Sequence, residues 1–74
     1  MELVDYLNNV NNHESFIEFV KVLAKDKEIN SIEWQNLTIE DYLDCANSWL
    51  EDSECKDISW KLMAEFLYCG KIYE

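Results

Sequence analysis

The stretch EWQNLTIEDYLDCANSWL, Glu33 to Leu50, decides how this chain folds. Ile39, Tyr42, Leu43, Ala46, Trp49 and Leu50 recur at the i, i+3, i+4, i+7 spacing of one helix face. Thr38 precedes them. Its side chain is suited to accept an early backbone amide, and Asp41 three residues on makes a capping-box variant. The spacing predicts a helix over about 38–51, with Trp49 on the side that meets the core.

Upstream, Asn12 is the expected cap of a helix over about 13–27. Phe16, Phe19, Val20, Leu23 and Ala24 share one face, and Glu14, Glu18, Lys21 and Lys25 the opposite one. A short helix over about 3–9 carries Leu3, Val4 and Leu7 and is interrupted by Asn8, Asn9, Asn11 and Asn12, which favour turns and caps. Residues 26–35 lack a clean period and read as a connection holding Trp34.

Downstream, Glu51–Asp57 reads as a loop, with Asp57 the expected cap of a helix over about 58–69. Trp60, Leu62, Met63, Ala64, Phe66, Leu67 and Tyr68 leave only Lys61 and Glu65 as a polar edge. A helix apolar on most faces is a central one. Gly70, the only glycine, is the expected helix stop, with Ile72 and Tyr73 a short tail. No segment alternates at period two and no Asn-Gly or Asp-Gly turn is present. The expected fold is all-α: one domain, 1–74, a small bundle of three main helices plus a short N-terminal one.

Size makes the core marginal. A chain of 74 residues buries only about 60% of its unfolded surface, so three tryptophans, four tyrosines and three phenylalanines carry much of the burial. No apolar run is long enough to span a membrane, and the N-terminus lacks a basic segment followed by an apolar one. Three cysteines, Cys45, Cys55 and Cys69, are too few and too irregular for a disulfide framework. The expected compartment is the cytoplasm.

The net charge is −10 and arginine is missing. Such a surface repels nucleic-acid phosphate, so no nucleic-acid partner is expected. The sequence offers no catalytic set. His13, the sole histidine, reads as an exposed first-turn residue, and a Cys45–His13 dyad is the sharper alternative. Cysteine spacings of ten and fourteen do not suit zinc. The acidic loop lacks the ligand order and glycine of a calcium loop, and one glycine cannot build a phosphate cradle. Neither cofactor nor metal is expected.

Charge placement says more. Between Glu28 and Cys55 stand Glu28, Glu33, Glu40, Asp41, Asp44, Glu51, Asp52 and Glu54, and no lysine. On the helix, Glu40, Asp44, Asn47 and Glu51 fall within roughly 60° of one another, opposite the apolar stripe. Like charges four residues apart cost a few tenths of a kcal/mol, and acids at a helix C-terminus oppose the dipole by about 0.3–1 kcal/mol. Such a face is either a solvated surface or a docking surface for a basic protein. The candidate partner-binding residues are Glu40, Asp44, Asn47, Glu51, Asp52, Glu54 and Trp34. Trp34 reads first as a core ring and second as an anchor for a partner.

Several residues together carry a family likeness. Glu33-Trp34-Gln35-Asn36, Thr38-Ile39-Glu40, Tyr42-Leu43, Trp49-Leu50, Trp60 with Ala64 and Leu67, and a closing Lys71-Ile72-Tyr73-Glu74 resemble the family of small bacterial proteins known as domain of unknown function 7660. Ser15-Phe16 with Phe19, Leu23 and Asp26 resembles its opening helix. Lys56-Asp57-Ile58-Ser59 departs from it, lacking a proline before the last helix. The resemblance implies a bacterial source and no particular activity. Size and acidity are similar to those of helical immunity proteins of bacterial toxin systems. The expected function is therefore a non-enzymatic interaction module, in concrete form an immunity or inhibitor protein with a basic partner. A structural or regulatory protein acting by self-association through exposed aromatics near Trp34 and Tyr73, or a minor thiol-dependent enzyme using Cys45 or Cys69, are the alternatives, and the expected state is a monomer or weak homodimer.

Overall fold

The computed structural model describes residues 2–54 and 57–72, so Cys55, Lys56 and the closing Tyr73-Glu74 lie outside the described residues. Four α-helices follow in order: α1 (Leu3–Asn8), α2 (His13–Ile29), α3 (Ile39–Ser53) and α4 (Trp60–Ile72), with a 3-10 turn at Ser31–Glu33 between α2 and α3. No strand occurs among the described residues. The all-α bundle of three main helices and a short first one is the fold.

The caps explain where the helices begin. The Asn12 carboxamide oxygen accepts from the Ser15 amide at 2.8 Å, and the Ser15 hydroxyl accepts from the Asn12 amide at 3.0 Å, so two orphan donors are satisfied. Thr38 Oγ1 accepts from the Asp41 amide at 3.2 Å. For α4 the cap is Ser59, not Asp57: Ser59 Oγ accepts from the Leu62 amide at 3.0 Å. The serine is the residue that immediately precedes the first helical position, where a short hydroxyl reaches the N3 amide.

Three helix ends differ from the sequence expectation. α2 runs on through Ile29, and the Asn30 amide still donates to the Asp26 carbonyl at 2.7 Å. α3 continues to Ser53 and ends on Glu54, a non-glycine residue in the left-handed region at φ 58°. α4 runs through Gly70 to Ile72. Gly70 is not a stop. It has no positive φ and sits within the helix because a neighbouring ring leaves no room for a side chain.

α4 is central, packing against α1, α2 and α3. Leu7, Val10, Phe19, Leu23, Trp34 and Ala64 form the buried cluster on its α1–α2 side. Phe19 is fully enclosed, and truncating it to alanine would cost about 3–5 kcal/mol. A domain of this length has only about 4–11 kcal/mol in total.

Among the described residues, α3 packs against α4 and against no other helix. The bundle is accordingly thin, with extents of 29 × 28 × 15 Å. A single partner cannot cover the whole apolar stripe of α3. Ala46 is buried and Tyr42, Trp49 and Leu50 are partly so, but Ile39 is 63% and Leu43 48% exposed. The stripe is therefore not covered throughout: four of its six residues are at least partly buried, and Ile39 and Leu43 face outward.

Candidate interaction surface

The connection and the start of α3 have an inner side that is all structural. The Trp34 indole N–H donates to Asp26 Oδ2 at 2.8 Å, and the Lys71 ammonium stands 2.8 Å from that same oxygen. Asn30 Nδ2 donates to Asp26 Oδ1 at 3.0 Å. Burial pushes the Asp26 carboxyl up, but the hydrogen bonds from Lys71, Asn30 and Trp34, together with the lysine charge, outweigh it and hold the group below the usual aspartate value. Lys71 itself is buried, and its ammonium also lies 5.9 Å from the centre of the Trp34 ring. This node joins the end of α2, the connection and the end of α4.

The next residues hold the C-terminus of α4. The Gln35 amide donates to the Lys71 carbonyl at 3.0 Å, and Asn36 Nδ2 donates to the Gly70 carbonyl at 2.9 Å. These are two of the carbonyls that a helix end leaves without an intrahelical partner. The Tyr42 hydroxyl donates to the Leu67 carbonyl. Its ring lies stacked on Trp34, with centroids 5.8 Å apart, and covers Gly70. Burial, and then the charge Cys69 would carry, push the Tyr42 phenol up to about 12.

Trp34 is thus 8% exposed. Its N–H and one ring face are engaged inside the protein, so Trp34 is first a core ring, the first of the two readings the sequence offers. Tyr73, the other aromatic of the self-association alternative, lies outside the described residues.

The thiols and the histidine are separated in their contacts. Cys45 Sγ donates to Asn36 Oδ1 at 3.3 Å, while the His13 ring meets Trp60 edge-on at 5.6 Å. His13 is exposed, as its first-turn position implies. Burial, with the Glu65 charge added, raises the Cys69 thiol above its ordinary value. A nucleophilic thiol needs the opposite shift. No group of three or more His, Cys, Asp or Glu side chains among the described residues is placed to hold a metal ion.

The outward side of α3 carries the rest of the candidate set. Glu40, Asp44, Asn47, Glu51, Asp52 and Glu54 are all exposed, and the helix brings the first four into one row. Asn47 Nδ2 donates to Glu51 Oε1 at 3.1 Å, orienting that carboxylate along the row. The last turn of α3 holds no basic residue. Glu54 at φ 58° adds a backbone conformation that costs a non-glycine residue about 1–2 kcal/mol. Lysines are used elsewhere: Lys25 lies 3.9 Å from Glu28, and Lys71 is taken up by Asp26.

Fold and surface together define a small helical bundle with a polar inner stitch and an acidic outer helix face. The chain belongs to the family of unknown function DUF7660, whose model matches residues 12–74. No curated protein and no solved structure matches it. The residues quoted for the family likeness include Asp26, Trp34, Asn36, Tyr42 and Lys71, and these are the ones that build the inner stitch. The Asp26–Lys71 pair was not foreseen from periodicity. A lysine near the end of an otherwise apolar helix was the available signal. No helix among the described residues is long and apolar enough to cross a membrane.

Proposed function

We propose that this protein is a non-enzymatic interaction module that docks a basic partner protein through the outward face of α3. Glu40, Asp44, Asn47 and Glu51 form the contact row, and Asp52 and Glu54 extend it. An immunity or inhibitor protein is the concrete form: a small acidic domain that covers the basic working surface of a toxin or enzyme in the bacterial cytoplasm.

One observation carries the reading. The stretch from Glu28 to Cys55 holds eight acids and no lysine, and the outward row of the helix within it is exposed. Local electrostatics disfavour that arrangement, through like charges four residues apart and acids at the negative end of the dipole. Solubility alone is met as well by interspersed lysines. A complementary basic surface converts the same charges into attraction and a faster encounter.

Charge reversal tests it. Changing Glu40, Asp44 and Glu51 to lysine leaves the helical circular dichroism intact, because all three are exposed. The variant loses the basic protein that the wild-type chain recovers from the native cell, and wild-type recovery weakens as salt rises. Undiminished recovery by the triple variant refutes the reading.

A further inference from the structure

The acidic row has an apolar neighbour. Ile39 and Leu43 lie one helical turn apart, about 6 Å along the axis, and about 40° apart around it. Asn47, the nearest member of the acidic row, follows about 40° beyond Leu43. Exposed leucines and isoleucines scattered singly require no explanation, but here the exposure is contiguous. Leu37, just before the helix, is 61% exposed and together with Ile39, Trp34 and Tyr42 lines a notch of about 310 Å³. The stacked Trp34 and Tyr42 rings help to wall it. Among the described residues Lys27 is the one charged side chain that lines it, and that ammonium stands 5.9 Å from the Trp34 ring centre.

We propose that this surface seats a basic amphipathic helix of the partner, a proposal that rests on the docking reading above and specifies its ligand. Apolar side chains of the incoming helix enter the notch and cover Ile39 and Leu43. Its lysines or arginines, on the adjoining face, meet Glu40, Asp44 and Glu51. Parallel apolar and charged rows along one helix are matched by a second helix with its own two rows at i, i+3 and i+4 spacing. The charge selects the occupant. A second copy of this chain, paired symmetrically, would set the same acidic row near its equivalent, which like-charge repulsion opposes.

The test uses two synthetic peptides of identical leucine and lysine composition. One spaces its leucines along a single helical face and the other has the order scrambled. Binding is followed by tryptophan fluorescence and by amide chemical-shift mapping. The wild-type chain binds the amphipathic peptide about tenfold more tightly than the scrambled one, a 1.4 kcal/mol preference. Shifts centre on residues 37–47. The double variant Ile39→Gln, Leu43→Gln, whose positions are exposed and whose dichroism checks the fold, loses the preference but keeps the weak salt-sensitive attraction to both peptides. Leu37→Gln, outside any helix, provides an independent variant and reduces the preference.

Equal affinities for the two peptides, or a preference that survives the double variant, overturn the seat. So does a concentration-dependent dimer that Leu43→Gln dissociates, since the chain itself would then be the occupant. If charge reversal abolishes recovery of the cellular partner while the double variant retains it fully, the seat falls and the acidic docking face stands. If both variants retain it, both fall.

Discussion

Replacing Gly70 with alanine tests how closely α3 and α4 fit. In an ordinary helix interior this change stabilises by about 1 kcal/mol, because alanine has the better propensity. Here an added Cβ would lie 2.6 Å from Tyr42 Cε1 and 2.8 Å from both Cδ1 and Cζ. The ring has little freedom to yield. It is stacked on Trp34 on one side, and its hydroxyl is held by the Leu67 carbonyl. Forcing a methyl group into a packed site costs about 1–3 kcal/mol, and losing the hydroxyl's hydrogen bond costs about 1 kcal/mol more. After subtracting the propensity gain, Gly70→Ala destabilises by about 1–3 kcal/mol. For a domain of this size that lowers Tm by roughly 4–24 °C. Urea unfolding, followed by tryptophan fluorescence and by dichroism, measures it. In a double-mutant cycle with Tyr42→Ala, the penalty of Gly70→Ala shrinks or reverses once the ring is gone. A more stable Gly70→Ala variant, or additive effects in the cycle, would refute the close-approach account and return Gly70 to an ordinary helical position.

Asp26→Asn leaves the Lys71 ammonium nearly buried without its counter-charge; the two side chains are 11% and 12% exposed. At neutral pH the variant loses about 3 kcal/mol, the low end for a broken buried pair. The folded carboxyl titrates below 3.8, so its contribution is complete above that value and is lost as pH falls through the lower folded-state value. The wild-type advantage, measured by urea midpoints across the acid range, therefore narrows in that window. Tyr42 has the opposite sign. Its phenol is raised from 10.0 to about 12, so its contribution is present below 10 and is lost as pH rises from there through about 12. Absorbance titration finds a late-ionising tyrosine signal that Tyr42→Phe removes, and that variant lacks the corresponding part of the alkaline decline. Finally, the raised Cys69 thiol reacts with a disulfide reagent at neutral pH more slowly in the folded chain than in urea, as judged with a Cys45→Ser, Cys55→Ser background. Equal rates in the two states would contradict the burial that raises it.

Periodicity located the four helices, because amphipathic spacing and short polar caps are local properties. Asn12 and Thr38 act where they stand in the sequence, and each needs only an amide three residues away. The acidic row was also legible, since a helix at 100° per residue fixes which side chains share a face. What periodicity could not supply was the number of neighbours each face meets. Among the described residues α3 has one partner helix, so Ile39 and Leu43 remain outside, although they belong to the same stripe as buried Ala46. Trp34 was open to two readings, and Gly70 read wrongly as a helix stop, for a related reason. One was a ring in a connection and the other a glycine near a helix end, and only the approach of Asp26, Tyr42 and Lys71 from other elements gives each its role. The sequence by itself determined the helices, the Asn12 and Thr38 caps and the charge of the outer row, all set within a few residues of chain. Tertiary structure alone decided which aromatic is core and which apolar residues stay exposed, because burial depends on surfaces that distant segments bring together.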